Sequence, residues 1–182
     1  GVQTCALPIC TRGQRGAGVL YLAPTKALAH DQADALDALG LDVRVTTCDG
    51  DSSREQRDWA REHGEYVLTN PDMLHRSILP RHDRWAGFLR TLRFVVVDEA
   101  HHYRGVFGAH VAQVLRRLRR VAALYGAEPV FVLASATMAD PGRTATRLIG
   151  MPVHEVMDDG SPRGPLTLDR KSTRLNSSHR CI

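Results

Sequence analysis

Two adjacent carboxylates, Asp98 and Glu99, follow the apolar run Phe94-Val-Val-Val97 and precede Ala100 and His101. A carboxylate at the end of a buried strand can hold Mg2+ through its water shell, because Mg2+ keeps several waters and takes few protein oxygens. A second carboxylate beside it can orient and polarise a water for in-line attack on a phosphate. An acid-rich helix N-terminus, favoured by the helix dipole, is the alternative reading of the same pair. Three further polar clusters also follow apolar runs: Pro24-Thr25-Lys26, Thr69-Asn70 and Ser135-Ala136-Thr137. Hydroxyls, backbone amides and helix N-termini bind phosphates without base preference. A solvated lysine on a helix face is the plainer reading of Lys26.

These clusters need a scaffold that brings strand ends together. Val19–Ala23, Leu41–Val45, Glu65–Thr69, Phe94–Val97 and Pro129–Ala134 read as strands. Between them, Thr25–Leu39, Arg54–His63, Pro71–Leu79, residues 83–90 and Ala109–Tyr125 read as helices, with a last short helix over 140–149. Asn70 stands as an N-cap and Pro71 as the first helical residue. Strands alternating with helices predict an α/β fold, a parallel sheet covered on both faces. The all-apolar run Phe94–Val97 is what such a strand requires. In these sheets ligands collect past the carboxyl ends of the strands, where the polar clusters stand.

The chain has 182 residues, 43% apolar and 24% charged, which excludes wholesale disorder. No run approaches the roughly 20 apolar residues of a membrane span and no export signal opens the chain, which predicts a cytoplasmic protein without membrane partners. Asp169–His179 is the in-frame translation of a common sequencing-library adapter, and Gly1–Ile9 translates its reverse complement. Residues 1–9 and 169–182 are therefore expected to be artefact, with residues 10–155 a partial domain and 156–168 a linker. Outside the ends, basic and acidic residues number 20 and 19, so the net charge of +4 says little about partners. Cys5 and Cys181 fall in the ends and Cys10 at the junction, leaving Cys48, no disulfide framework and no CxxC pair. His101, His102 and His110 have no cysteine or paired carboxylate at a standard ligand spacing, so zinc is not expected. The arginines at 116, 117, 119 and 120 read as a solvated helix face, and Trp59 and Trp85 as packing residues.

Ala23-Pro-Thr-Lys-Ala-Leu-Ala29, Thr69-Asn-Pro-Asp-Met73, Asp98-Glu-Ala-His101 and Ser135-Ala-Thr137 together resemble motifs Ia, Ic, II and III of the first motor domain of superfamily 2 helicases, in order. Asp49-Gly50-Asp51 falls where motif Ib is expected. Leu68–Leu74 and His101–His110 resemble the MrfA-type DNA repair helicases, relatives of the RecQ-like and Lhr-like enzymes. The resemblance spans about residues 19–150. It implies a RecA-like fold, ATP and Mg2+ as cofactors, and nucleic acid, DNA in preference to RNA, as partner. It implies that Asp98 binds Mg2+, that Glu99 activates the attacking water, and that His101 contacts Ser135 or Thr137 to couple nucleotide and nucleic-acid sites, with Ala136 between them. Pro24, Thr25, Lys26, Gly50, Asp51, Thr69 and Asn70 would line the nucleic-acid groove. Translocation 3′ to 5′ and a duty in DNA repair follow from the resemblance alone.

One family element is missing: no GxxxxGK followed by Ser or Thr occurs in the chain. The expectation is a piece of a helicase, lacking the P-loop strand and a second RecA-like domain in cis. Such a piece would be inactive alone and would carry an uncovered apolar surface near the sheet's centre. A superfamily 2 translocase on duplex DNA or RNA that does not unwind, and a catalytically silent nucleic-acid-binding module, are the competing functions.

Overall fold

The computed structural model describes residues 16–135 and 139–156. The adapter-like ends at 1–9 and 169–182, the linker 156–168 apart from Val156, and Ala136 and Thr137 lie outside the described residues. Five strands form one wholly parallel sheet in the order β2-β3-β1-β4-β5: β1 (Gly18–Leu22), β2 (Val45–Thr47), β3 (Tyr66–Thr69), β4 (Leu92–Val97) and β5 (Val130–Leu133). The predicted fold class holds. Every residue of β1 and β3 is buried, because helices cover both faces.

Period-two alternation splits the central strands between two cores. Val19, Tyr21, Leu68 and Val96 face α1 (Lys26–Asp37) through Ala29, Ala33 and Leu36. Leu20, Leu22, Val95 and Val97 join the opposite core, with Val111, Leu115 and Leu118 of α5 (Gly105–Leu124). Each such side chain is worth about 1.5–3 kcal/mol of burial. Between the strands run α2 (Arg54–His63), closed at its start by a reciprocal Ser53–Gln56 capping box, α3 (Pro71–Met73) and α4 (Ala86–Thr91), and α6 (Pro141–Ile149) follows β5.

Four expectations need correction. The strand expected over Leu41–Val45 begins only at Val45: Val43 N–H turns back to Leu41 O at 2.8 Å, and the Glu65 carboxylate takes the Arg44 N–H at 3.1 Å. The helix expected over Pro71–Leu79 is α-helical only to Met73. It widens into a π turn over Leu74–Ile78 and tightens to a 3-10 turn over Leu79–Arg81. Pro80 has no N–H for the regular ladder, and its ring would meet the carbonyl one turn back. The arginine face of α5 is not merely solvated: Arg116 donates to Arg147 O at 2.8 Å, and Arg119 to the carbonyls of Ile149 and Gly150 at 3.2 and 3.3 Å. These are the orphan carbonyls of α6's last turn, and guanidiniums suit them in both hydrogen bonding and dipole. Trp85 is buried against Phe88, but Trp59 is 43% exposed and only edges onto His63.

Among the described strands the apolar side chains are least covered on β5, the outermost strand beside β4: Val130 is 56% exposed, and Phe131, Val132 and Leu133 are half-buried.

Burial pushes the Cys48 thiol up to about 11, and burial with Asp98 raises the phenols of Tyr21 and Tyr103. The folded state thus favours the protonated form of all three. Their stabilisation is fully present below the unfolded values, 9.0 for the thiol and 10.0 for the phenols, and is lost as pH rises through the folded ones. Urea midpoints are expected to be flat across pH 7–8 and to fall above about pH 9. Cys48→Ser should remove the first part of the fall, worth up to about 3 kcal/mol.

Candidate functional site

β4 delivers Asp98 and Glu99 to the carboxyl edge of the sheet, where Asp98 N–H extends the ladder onto Leu22 O at 3.0 Å. Asp98 is only 9% exposed, and its carboxylate is held by two donors. The Tyr21 hydroxyl, from the neighbouring strand β1, donates to Oδ2, and the Glu99 N–H donates to Oδ1 at 2.8 Å. Burial, then the facing carboxylate, raises Tyr21's pKa, so the phenol stays a donor throughout the neutral range. Glu99 is the one described non-glycine residue at positive φ, 48°. Holding a side-chain-bearing residue there costs on the order of 1–3 kcal/mol. The bend is pinned at its far side by Ala100 N–H on Ala134 O at 2.8 Å, which ties the turn to the end of β5.

The left-handed bend brings Glu99 back over His101. Glu99 Oε2 lies 3.0 Å from His101 Nδ1, and Ser135 Oγ lies 3.4 Å from the same nitrogen. A carboxylate acceptor at the shorter distance requires the proton on Nδ1. The expected His101–Ser135 contact is present; Thr137 and Ala136 lie outside the described residues. Glu99, His101 and His102 bring ligand-capable atoms within 4.8 Å of one another. Glu99, which the bend delivers, joins the two histidines although the sequence shows no standard ligand spacing. His110 instead packs edge-on against His75.

A groove of about 430 Å3 opens past the ends of β1 and β3. Pro24, Thr25, Lys26, Gly50 and Asn70 line it, as do Met73, Arg76 and Phe107. Thr25 caps α1 by accepting Leu28 N–H, and Asn70 Oδ1 accepts Met73 N–H at 2.8 Å, leaving the Asn70 amide NH2 group without a hydrogen bond among the described residues. Asp49 builds the loop that presents Gly50: its Oδ1 accepts the N–H groups of Asp51 and Ser52 at 2.8 and 3.0 Å. Burial would raise its carboxyl, but these donors and His30 outweigh that and hold it below the usual range.

Two residues of the expected groove set are placed differently. Thr69 is 1% exposed and spends its hydroxyl on Cys48 O at 2.6 Å, so it braces β3 against the β2 loop rather than lining the groove. Asp51 forms an ion pair with Lys26, which raises the ammonium's pKa and shares its charge. Sequence reasoning missed Tyr21, Arg76 and Phe107. Arg76 was signalled only as a base among the apolar Leu74, Ile78 and Leu79. Phe107 stood before the expected start of α5 and is 45% exposed.

The sequence profile of the DEAD/DEAH box helicase family matches residues 3–144. The chain is 49% identical over 149 residues to the uncharacterized ATP-dependent helicase YprA of Bacillus subtilis, covering 80% of this chain and 20% of that protein. It is 41% identical over 154 residues to the ATP-dependent helicase HRQ1 of Saccharomyces cerevisiae, covering 80% and 14%. It superposes on the DUF1998 helicase MrfA bound to DNA and AMPPNP with a TM-score of 0.78 and 48% identity, over 82% of this chain and 22% of that one. The chain thus spans about a fifth or less of the length of these relatives. Its parallel sheet, crossed by helices, is that of RecA-like helicase domains, and the chain belongs to the DEAD/DEAH box helicase family.

Proposed function

We propose that the chain is the first RecA-like motor domain of an ATP-dependent DNA helicase that unwinds 3′ to 5′ in DNA repair. One juxtaposition supports this most: Asp98 and Glu99 stand at the end of β4, between the groove past β1 and β3 and the His101–Ser135 contact at the end of β5. The MrfA relative, bound to both DNA and AMPPNP, supports DNA as the nucleic acid and ATP as the fuel. Because the chain holds no GxxxxGK followed by Ser or Thr, residues 1–182 alone are proposed to be inactive.

The donor set fits Mg2+. Asp98 is nearly buried, and each of its oxygens accepts one protein hydrogen bond, keeping lone pairs for metal-bound water. When bound, Mg2+ would offset the phosphate charge. Asp98 is fixed by Tyr21 and its own turn. Glu99 accepts the proton of the attacking water at its carboxylate. His101 senses Glu99 on one side and Ser135 on the other, with Ala136 and Thr137 continuing the coupling segment. Thr25, Lys26, Gly50 and Asn70 hold a strand by its phosphates, Pro24 and Phe107 add apolar walls, and Asp51 tempers Lys26.

The test is strand displacement by the intact protein. ATP-dependent release of a labelled strand from a tailed duplex is expected, and only with a 3′ tail. Triplex displacement without duplex unwinding would instead assign a non-unwinding translocase.

Tyr21 yields a separate prediction. Tyr21→Phe removes a charge-assisted hydrogen bond from Asp98, an interaction worth about 1.5–3 kcal/mol. ATP turnover by the intact protein should fall roughly tenfold or more, with oligonucleotide affinity unchanged. Turnover at the parental rate would show that Tyr21 merely packs.

A further inference from the structure

A second cavity, of about 460 Å3, opens on the flank between α2 and the segment leading from α3 to α4. Arg54, Arg57, Arg61, Arg81 and Arg84 line it against a single acid, Asp58. Asp58 is committed to Arg61, three residues along α2. Arg57 donates from Nη2 to Gly50 O at 3.1 Å and Asp49 O at 3.4 Å, while its Nε is buried without a hydrogen-bond partner. Arg54, Arg81 and Arg84 are exposed, and none forms an ion pair among the described residues.

Guanidiniums gathered around one space repel each other, and an anion entering it relieves that repulsion. Their planar fork of donors matches phosphate oxygens better than a point charge does. The position of the cavity narrows the kind of anion. Gly50 lines the nucleic-acid groove, and its carbonyl is what Arg57 grips. A strand held in the groove and leaving over Gly50 therefore meets Arg57 and then the rest of the cluster.

We propose that this cavity is a second phosphate station for nucleic acid, taking one or two backbone phosphodiesters of a strand that leaves the groove over the Asp49–Asp51 loop. The inference rests on the nucleic-acid reading of the groove. It adds a contact outside every motif named above, and it is indifferent to base sequence because it touches only the backbone.

The experiment titrates the intact protein into a labelled single-stranded oligonucleotide across a range of salt concentrations. Arg54→Ala/Arg84→Ala is compared with Arg54→Lys/Arg84→Lys and with the parent. Arg54 and Arg84 are exposed, so their removal leaves the core untouched. Loss of two phosphate contacts should make the slope of log affinity against log salt shallower by about 1.4, at about 0.7 per contact on single strands. Relative to affinities matched at 1 M, that is roughly 25-fold weaker binding at 0.1 M salt. The lysine variant should keep the parental slope, and ATP turnover at saturating oligonucleotide should be unchanged in both. A double alanine variant with parental affinity and slope overturns the proposal. So does the same result accompanied by inorganic pyrophosphate quenching the emission of Trp85, which lines the cavity; that outcome assigns it to a free anion. A parent that binds no oligonucleotide removes the underlying functional reading as well, whereas a binding parent with unaltered variants removes this inference alone.

Discussion

Glu99→Gln in the intact protein is expected to abolish ATP-driven unwinding while leaving single-strand binding intact. The two side chains have the same shape, and the amide oxygen can still accept from His101 Nδ1, now 3.0 Å from the carboxylate. The left-handed bend is held by a hydrogen bond on either side, Glu99 N–H to the Asp98 carboxylate Oδ1 and Ala100 N–H to Ala134 O, which the substitution does not touch. What is lost is the ability to take a proton from water. Proton transfer by a positioned side chain contributes about 100- to 10,000-fold, so turnover should fall by that order, about 3–5 kcal/mol in the barrier. Single-turnover hydrolysis and oligonucleotide binding, measured side by side, separate loss of chemistry from loss of the fold. Unwinding at the parental rate would remove Glu99 from the chemistry, and with it the reading of the whole edge as a motor site.

The contrast between what the chain announced and what it concealed follows from the range of the interactions. β1, β3 and β4 were legible because a strand buried on both faces must be apolar throughout, and a following polar cluster marks its end. The Asp98–Glu99 pair was legible for the same reason. Tyr21 was not: inside the run Val19–Ala23 it reads as one more buried residue, and its link to Asp98 crosses 77 positions of sequence. Thr69 misled in the opposite direction, since a hydroxyl at a strand end suits a phosphate as well as it suits the Cys48 carbonyl it actually satisfies. Arg116 and Arg119 looked solvated because the carbonyls they cap belong to a helix about 30 residues further on. The left-handed backbone of Glu99 had no local signature either. No glycine or asparagine stands there, and the bend is held by Glu99 N–H on Asp98 Oδ1 and by Ala100 N–H on Ala134 O, which reaches across to the end of β5.

Gly108 is a position where a single added methyl group should be costly. Gly108 lies in the first turn of α5, at a helical φ, so glycine is not needed there for conformational freedom. It is needed for space. A Cβ would sit 2.3 Å from Tyr103 O and 2.6 Å from Tyr103 C, both backbone atoms that cannot rotate away. Tyr103 is itself 2% exposed, its ring packs 5.8 Å from that of Phe107, and Tyr103 N–H is bonded to Ala100 O at 3.1 Å. Relief of the clash must therefore either push the Ala100–Arg104 turn away from the sheet or lift the start of α5, and each movement breaks buried packing. Overpacking a close contact typically costs 1–3 kcal/mol and more when the obstacle is backbone, so Gly108→Ala is expected to destabilise by about 3 kcal/mol. Urea unfolding measures that loss. Because the displaced turn carries His101 and the displaced helix carries Phe107, the folded fraction should also lose DNA stimulation of its ATP turnover. Gly87→Ala, where a Cβ meets nothing within 4 Å, is the matched control and should change neither quantity. A Gly108→Ala protein as stable and as DNA-stimulated as the parent would mean that the segment joining Glu99 to the groove is slack, and that the two sites communicate by some other route.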